Sequence, residues 1–175
     1  MQERLERLIE LSGLPVKLRK VNKEHVTLGV QSICNNMFAT TGIIYLHGAG
    51  IGKSTNAAAL LLSYLRGYCE SAVVDNVGLY VSAYELCLHN RSRFSQDAWL
   101  MEQLELIKTC KCLVLEDIFS YVTQFDDMLL QTVFNMRQYC DGVTVFTSGV
   151  SSSFDCAGSI LQRIERSAKY KEEFK

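Results

Sequence analysis

One proline and one tryptophan stand in a chain of 175 residues, and neither sign of charge prevails. The lone Pro15 leaves no proline-rich tract to act as a linker, and repeats and low-complexity segments are missing too. Eighteen lysines and arginines against nineteen aspartates and glutamates leave a formal net charge of −1. That balance excludes a global pull toward nucleic acid and confines any such contact to a local patch. No apolar run approaches the ~20 residues of a membrane-spanning helix. The first residues, Met1 to Arg7, are charged where a signal peptide would be apolar, so a cytoplasmic location is expected. The seven cysteines are an odd number without regular spacing, and Cys110 and Cys112 lack the partners of a structural zinc site. They read as buried thiols of a reducing compartment. With 48% hydrophobic and 21% charged residues the chain can fill a core, which excludes disorder and fits one compact domain.

What is present is a phosphate cradle in sequence form. Gly48, Ala49, Gly50, Ile51, Gly52, Lys53, Ser54 and Thr55 follow the apolar run 43–46, which reads as a buried strand. The helix-forming stretch Asn56-Ala-Ala-Ala-Leu-Leu-Leu comes directly after them. Glycines let successive backbone N–H groups turn toward phosphate oxygens, and the helix that follows adds its own free N–H groups. In such a loop Lys53 would reach the β- and γ-phosphates, and the Ser54 hydroxyl would ligate Mg²⁺. The strict pattern places glycine where this chain has His47. The pattern points to a nucleoside triphosphate with Mg²⁺.

Hydrophobic spacing supplies the frame. A helix is expected over residues 2–11, stopped by Gly13 and Pro15, and a second over about 22–40. Strands are expected at 78–83, 112–115 and 143–147, with helices at 83–88, 97–108, 128–139 and 158–169 and a polar loop at 89–95. Strands alternating with helices predict an α/β fold with a largely parallel sheet flanked by helices. Residues 1–20 read as an N-terminal helix and linker, and 21–175 as the nucleotide-binding domain.

The strand at 112–115 runs into Glu116 and Asp117. Downstream of a phosphate loop, two acids at a strand end suit metal binding by Glu116 and orientation of an attacking water by Asp117. The usual order has aspartate first, so the two roles could be exchanged.

Together these residues resemble the AAA+ ATPase domain of the DnaC/DnaI-type helicase loaders and the related IstB transposition ATPases. The resemblance rests on Leu11-Ser-Gly-Leu-Pro15, the strand and loop at 42–54, Tyr80-Val-Ser-Ala-Tyr-Glu-Leu86, the strand at 112–119, Phe146-Thr-Ser-Gly149 and Leu161-Gln-Arg-Ile164. It implies a P-loop NTPase of the additional-strand type that hydrolyses ATP to ADP and phosphate. By the same resemblance Ser148, in preference to Thr147, would contact the γ-phosphate and the attacking water. Arg163, or Arg166, would reach the nucleotide of a neighbouring subunit, giving self-assembly through ATP-bridged subunits. The implied partners are a DnaB-like replicative helicase and single-stranded DNA, the latter through Arg91, Arg93 and Phe94. The basic cluster Lys17, Arg19, Lys20 and Lys23 is a second candidate contact. Three departures stand out: Gly149 replaces an asparagine, little chain precedes the Leu-Ser-Gly-Leu-Pro motif, and the last strand is expected to be short or missing. They keep open a non-hydrolysing adaptor or inhibitor, or a transposition ATPase. A small nucleotide kinase is the remaining alternative, disfavoured because the strand at 78–83 ends without an acceptor-binding acid.

Overall fold

The computed structural model describes residues 1–69, 77–91, 98–118, 124–149 and 160–175. Its centre is β1 (Gly42–His47), whose residues 43–46 are buried on both faces. With β2 (Gly78–Ser82), β3 (Cys112–Glu116), β4 (Val143–Ser148) and β5 (Ala168–Glu173) it forms a five-stranded sheet in the order β2-β3-β4-β1-β5. Every neighbouring pair is parallel. Parallel neighbours need long crossovers, which the helices supply. After β1 comes α3 (Lys53–Cys69), after β2 come α4 (Ala83–Arg91) and α5 (Ala98–Thr109), after β3 comes α6 (Gln124–Gln138), and after β4 comes α7 (Ile160–Ser167). The helices α1 (Gln2–Leu11) and α2 (Leu28–Asn35) precede the sheet.

The sheet separates two apolar cores. One holds Ile44, Leu46, Val114 and Val145 together with the alanines and leucines of α3 and with Leu8, Leu14 and Leu18 from the N-terminal segment. The other holds Ile43, Tyr45, Leu113, Leu115 and Phe146 against α4 to α7. The Leu-Ser-Gly-Leu-Pro motif covers the outer edge of β2, where the Tyr80 N–H donates to Ser12 O at 2.7 Å. Gly13 makes this turn at φ 72°, and a Cβ there would lie 3.0 Å from Tyr80 O. A cap at this point makes the edge less open to pairing with another chain.

Three expectations are corrected. Residues 22–40 do not form one helix. A 3₁₀ turn at Lys23–His25 is capped by Asn22, α2 starts at a separate cap made by Thr27, and another 3₁₀ turn follows at Met37–Ala39. Side chains that bond to nearby N–H groups compete with a continuous helix, and here they win. The last strand is not missing either. The expected helix over 158–169 ends at Ser167, and the chain continues as β5, parallel to β1. Its outward residues are Lys169, Lys171 and Glu173, charges that suit an edge strand and hide its period from a hydrophobicity reading. In addition His89 to Arg91 belong to α4, where a loop was expected. Residues 92–97 lie outside the described residues.

Candidate functional site

The C-terminal ends of β1, β3 and β4 bring the expected site residues to one end of the sheet. Between β1 and α3 the loop turns at Gly48 (φ 107°) and Gly52 (φ 102°), conformations that only glycine takes without strain. Lys53, the first residue of α3, folds back so that Nζ donates to Gly48 O at 2.7 Å and also to Gly50 O. Burial pushes its ammonium below the ordinary 10.5, and the opposing pull comes from Asp117. A partly desolvated cation whose hydrogen bonds go to neutral carbonyls, with the Phe174 ring 5.9 Å away, is well prepared to meet an anion. Ile51 projects from the loop tip, 96% exposed.

The chain beyond β5 lies against this loop. Phe174 donates its N–H to His47 O at 2.7 Å, and Gly50 donates to Phe174 O at 2.8 Å. A Cβ at Gly48 would come within 2.3 Å of Phe174 O, and one at Gly50 within 2.4 Å of Lys175 O. These two glycines are therefore required by backbone packing as well as by any ligand. The loop's exit is fixed by Asn56, 3% exposed, which sequence reading passed over. Its Nδ2 donates to Gly52 O at 2.8 Å, while its Oδ1 accepts from Thr27 N–H at 3.1 Å. The signal was a single amide at the head of an alanine–leucine run.

Glu116 ends β3 and Asp117 follows with φ 58°, a left-handed conformation that aspartate tolerates at some cost. The tip of β4 holds it there. Asp117 N–H donates to Thr147 Oγ1 at 2.8 Å and Ile118 N–H donates to Thr147 O at 2.9 Å. A Cβ at Gly149 would stand 3.9 Å from Asp117 Oδ1, so the turn after β4 faces this carboxylate. Strand alternation sends Thr147 and Ser148 to opposite faces. Thr147 is joined to Asp117, whereas Ser148, fully buried, sits beside the Tyr45 hydroxyl on the other face. The Glu116 carboxylate and the Ser54 hydroxyl both adjoin the hydroxyl of Tyr80, on the α3 side of the sheet. Among the described residues no group of three His, Cys, Asp or Glu could hold a metal by itself. Ser54 and Glu116 are hard oxygen donors that fit Mg²⁺ carried in with phosphate and water, and Tyr80 Oη beside them has no hydrogen-bond partner.

His47 occupies the position where the loop pattern has glycine. Its ring stacks on Tyr45 at 4.8 Å, and its Nδ1 is buried without a hydrogen-bond partner. Burial holds the imidazole below 6.5 although Glu173 and Glu165 pull the other way, with Lys171 and Lys53 reinforcing burial. A base with a depressed folded value binds fewer protons than the unfolded chain, so stability rises with pH across that window. It is fully present above the unfolded value and lost as pH falls through the folded one. The melting temperature is expected to drop between about pH 7 and 5.5, and His47→Gln to remove that part of the slope. Equal slopes in the two proteins would place the titration elsewhere.

The remaining expected residues stand apart from this end of the sheet or outside the description. The Arg91 guanidinium grips the carboxylate of Asp126, a fully buried residue, through Nε and Nη2. Arg93 and Phe94 lie outside the described residues. Arg163 stacks over the Phe134 ring at 4.7 Å and donates to Asn135 Oδ1 at 2.6 Å, both on α6. Arg166 is exposed.

No protein-family model matches this chain, and no curated protein matches it by sequence. Solved structures do. A DnaI crystal structure is 22% identical with a TM-score of 0.70, over 93% of this chain and 95% of that one. The DnaC helicase loader is 14% identical with a TM-score of 0.67, over 92% of this chain and 100% of the other. Replication initiator DnaA bound to AMPPCP and single-stranded DNA is 18% identical with a TM-score of 0.69, over 93% of this chain and 51% of that one. Identities this low speak for architecture alone: the chain shares the fold of these DnaI, DnaC and DnaA structures, a five-stranded parallel sheet flanked by helices.

Proposed function

We propose that this protein is an ATP-binding AAA+ ATPase of DNA replication that acts as a helicase loader. The observation that supports it best is that Lys53, at the head of α3, and Asp117, just after β3, stand at one end of the sheet, near enough for the carboxylate's charge to act on the ammonium, in a fold shared with the DnaI and DnaC structures. In this reading the residues 48–55 cradle the triphosphate, Lys53 neutralises its charge, and Ser54 and Glu116 hold Mg²⁺, which offsets charge on the transferring phosphoryl group. Asp117 orients the water that attacks the γ-phosphorus. A P–O bond forms to that water, the bond to the β-phosphate oxygen breaks, and ADP and phosphate leave. Thr147 keeps the Asp117 backbone in place. Arg163 or Arg166 serves a neighbouring subunit, so turnover needs assembly through ATP-bridged subunits. A DnaB-like helicase and single-stranded DNA are the partners, and binding and hydrolysis switch the contact.

A second reading, an ATP-dependent adaptor with little turnover, is favoured by two features. Gly149 leaves no side chain facing Asp117, and Phe174 O occupies the Gly50 N–H that a phosphate would use. Phosphate release from ATP, with and without single-stranded DNA and a DnaB-family helicase, separates the two. A loader is stimulated and co-elutes with the helicase, and Asp117→Asn keeps ATP binding while losing about 100-fold or more in rate. Tight binding without turnover selects the adaptor, and transfer of phosphate to an added nucleotide selects a kinase. An Asp117→Asn rate equal to the wild type moves the water-orienting role to Glu116.

A further inference from the structure

Tyr80 stands in the middle of β2 at a position where phenylalanine would pack as well. It is 6% exposed, and its hydroxyl makes no hydrogen bond. A buried hydroxyl without a partner costs about 1–3 kcal/mol, so its retention asks for a use.

The strand register says where it points. Tyr80 lies opposite Val114, and Ser82 lies opposite Glu116. Tyr80 and Glu116 are thus diagonal neighbours on one face of adjacent strands, a separation of about 7–8 Å that an aromatic side chain spans. The face is the one covered by α3, since a Cβ on Gly78 would meet Leu61 and Leu65, and Tyr80 itself shares a core with the α3 leucines. The hydroxyl consequently ends beside the Glu116 carboxylate and the Ser54 hydroxyl, close to both but in bonding geometry with neither. A tyrosine hydroxyl keeps its proton at neutral pH, since a phenol ionises only near about 10. It is therefore a donor, unsuited to binding a cation directly.

We infer that Tyr80 is a positioning residue for the cation site: its O–H donates to the Glu116 oxygen that the cation does not use and so fixes that carboxylate's orientation. The inference rests on the proposed reading of Ser54 and Glu116 as Mg²⁺ ligands. Partners of this kind behind a ligand tune metal affinity by about 10–100-fold.

The test is Tyr80→Phe, which keeps the ring and removes one oxygen. Binding of a fluorescent ATP analogue is titrated against Mg²⁺ for both proteins, and measured again in EDTA, with melting curves of the nucleotide-free forms. The variant is expected to melt at or above the wild-type temperature and to bind the analogue equally well in EDTA. It should need about tenfold more Mg²⁺ to reach half of the metal-dependent gain in affinity. An unchanged Mg²⁺ midpoint overturns the role of Tyr80 while leaving Ser54 and Glu116 in theirs. Equal weakening in EDTA and in Mg²⁺, with a lowered melting temperature, overturns it in favour of packing. Wild-type binding of the analogue that ignores Mg²⁺ overturns the cation site itself, and this inference with it.

Discussion

Lys53→Ala is expected to weaken ATP binding by at least about 100-fold while barely changing the stability of the nucleotide-free protein. That loss corresponds to roughly 2.7 kcal/mol, within reach of one or two charge-assisted hydrogen bonds. In the empty loop the ammonium donates to two carbonyls, Gly48 O and Gly50 O. Those carbonyls are neutral acceptors; Gly48 is buried, but Gly50 and Lys53 are half-buried, so water can follow into the place the side chain leaves. Anionic phosphate oxygens are stronger acceptors by about twofold, so the lysine gains on ligand binding what it does not supply at rest. The two effects separate in paired measurements: calorimetric titration with ATP·Mg²⁺ and thermal melting without nucleotide. Lys53→Arg should fail as well, because a planar fork cannot occupy the point position of an ammonium between those carbonyls and the phosphates. ATP affinity unchanged in Lys53→Ala would remove the loop from the binding site altogether.

Much of this molecule can be read from its pattern of apolar residues, because that pattern is how the sheet is covered. The runs 43–46 and 112–115 lack alternation, and both are strands buried on two faces. The glycine-rich loop and the acids at 116 and 117 were legible because their backbone demands are local: positive φ at Gly48 and Gly52, and a strand end before Glu116. What escaped depends on partners far away in sequence. β5 carries charges at its alternate outward positions, Lys169, Lys171 and Glu173, and only pairing with β1 makes it a strand. Thr147, not Ser148, meets Asp117 because side chains alternate across the sheet, a fact invisible without the register. Phe174 reaches the glycine-rich loop from the far end of the chain through two backbone bonds. Arg91, read as a residue for phosphates, is engaged by Asp126 thirty-five positions away. In each case the residue type was noticed or noticeable, and its partner was not.

The same lesson applies most strongly to Arg137, which a helical reading treats as one more cation near a helix end. It is 2% exposed, and among the described residues no carboxylate bonds its guanidinium. Nε donates to Thr144 Oγ1 at 2.8 Å, and Nη2 to Val143 O at 3.1 Å. Nη1 donates to Ile107 O at 3.0 Å and to Cys110 O at 2.6 Å. One fork thus ties the C-terminal end of α5 to the start of β4, and it supplies donors to helix-end carbonyls that have no intrahelical partner. Replacing a buried ion pair by apolar groups is often neutral, because both charges and both desolvation costs disappear together. That escape is closed here. Three of the four oxygens are backbone carbonyls, which stay buried whatever stands at position 137. Arg137→Met should therefore destabilise the protein by about 4 kcal/mol, from several acceptors losing charged donors at once. In thermal melting this is a fall of roughly 10 °C for a chain of this size. Arg137→Lys keeps the charge but gathers its donors on one atom, which cannot face β4 and the end of α5 together, so it should recover less than half of the loss. If the methionine variant melts with the wild type, the burial cost of the guanidinium equals everything its bonds return, and the link between α5 and β4 is held by the apolar core alone.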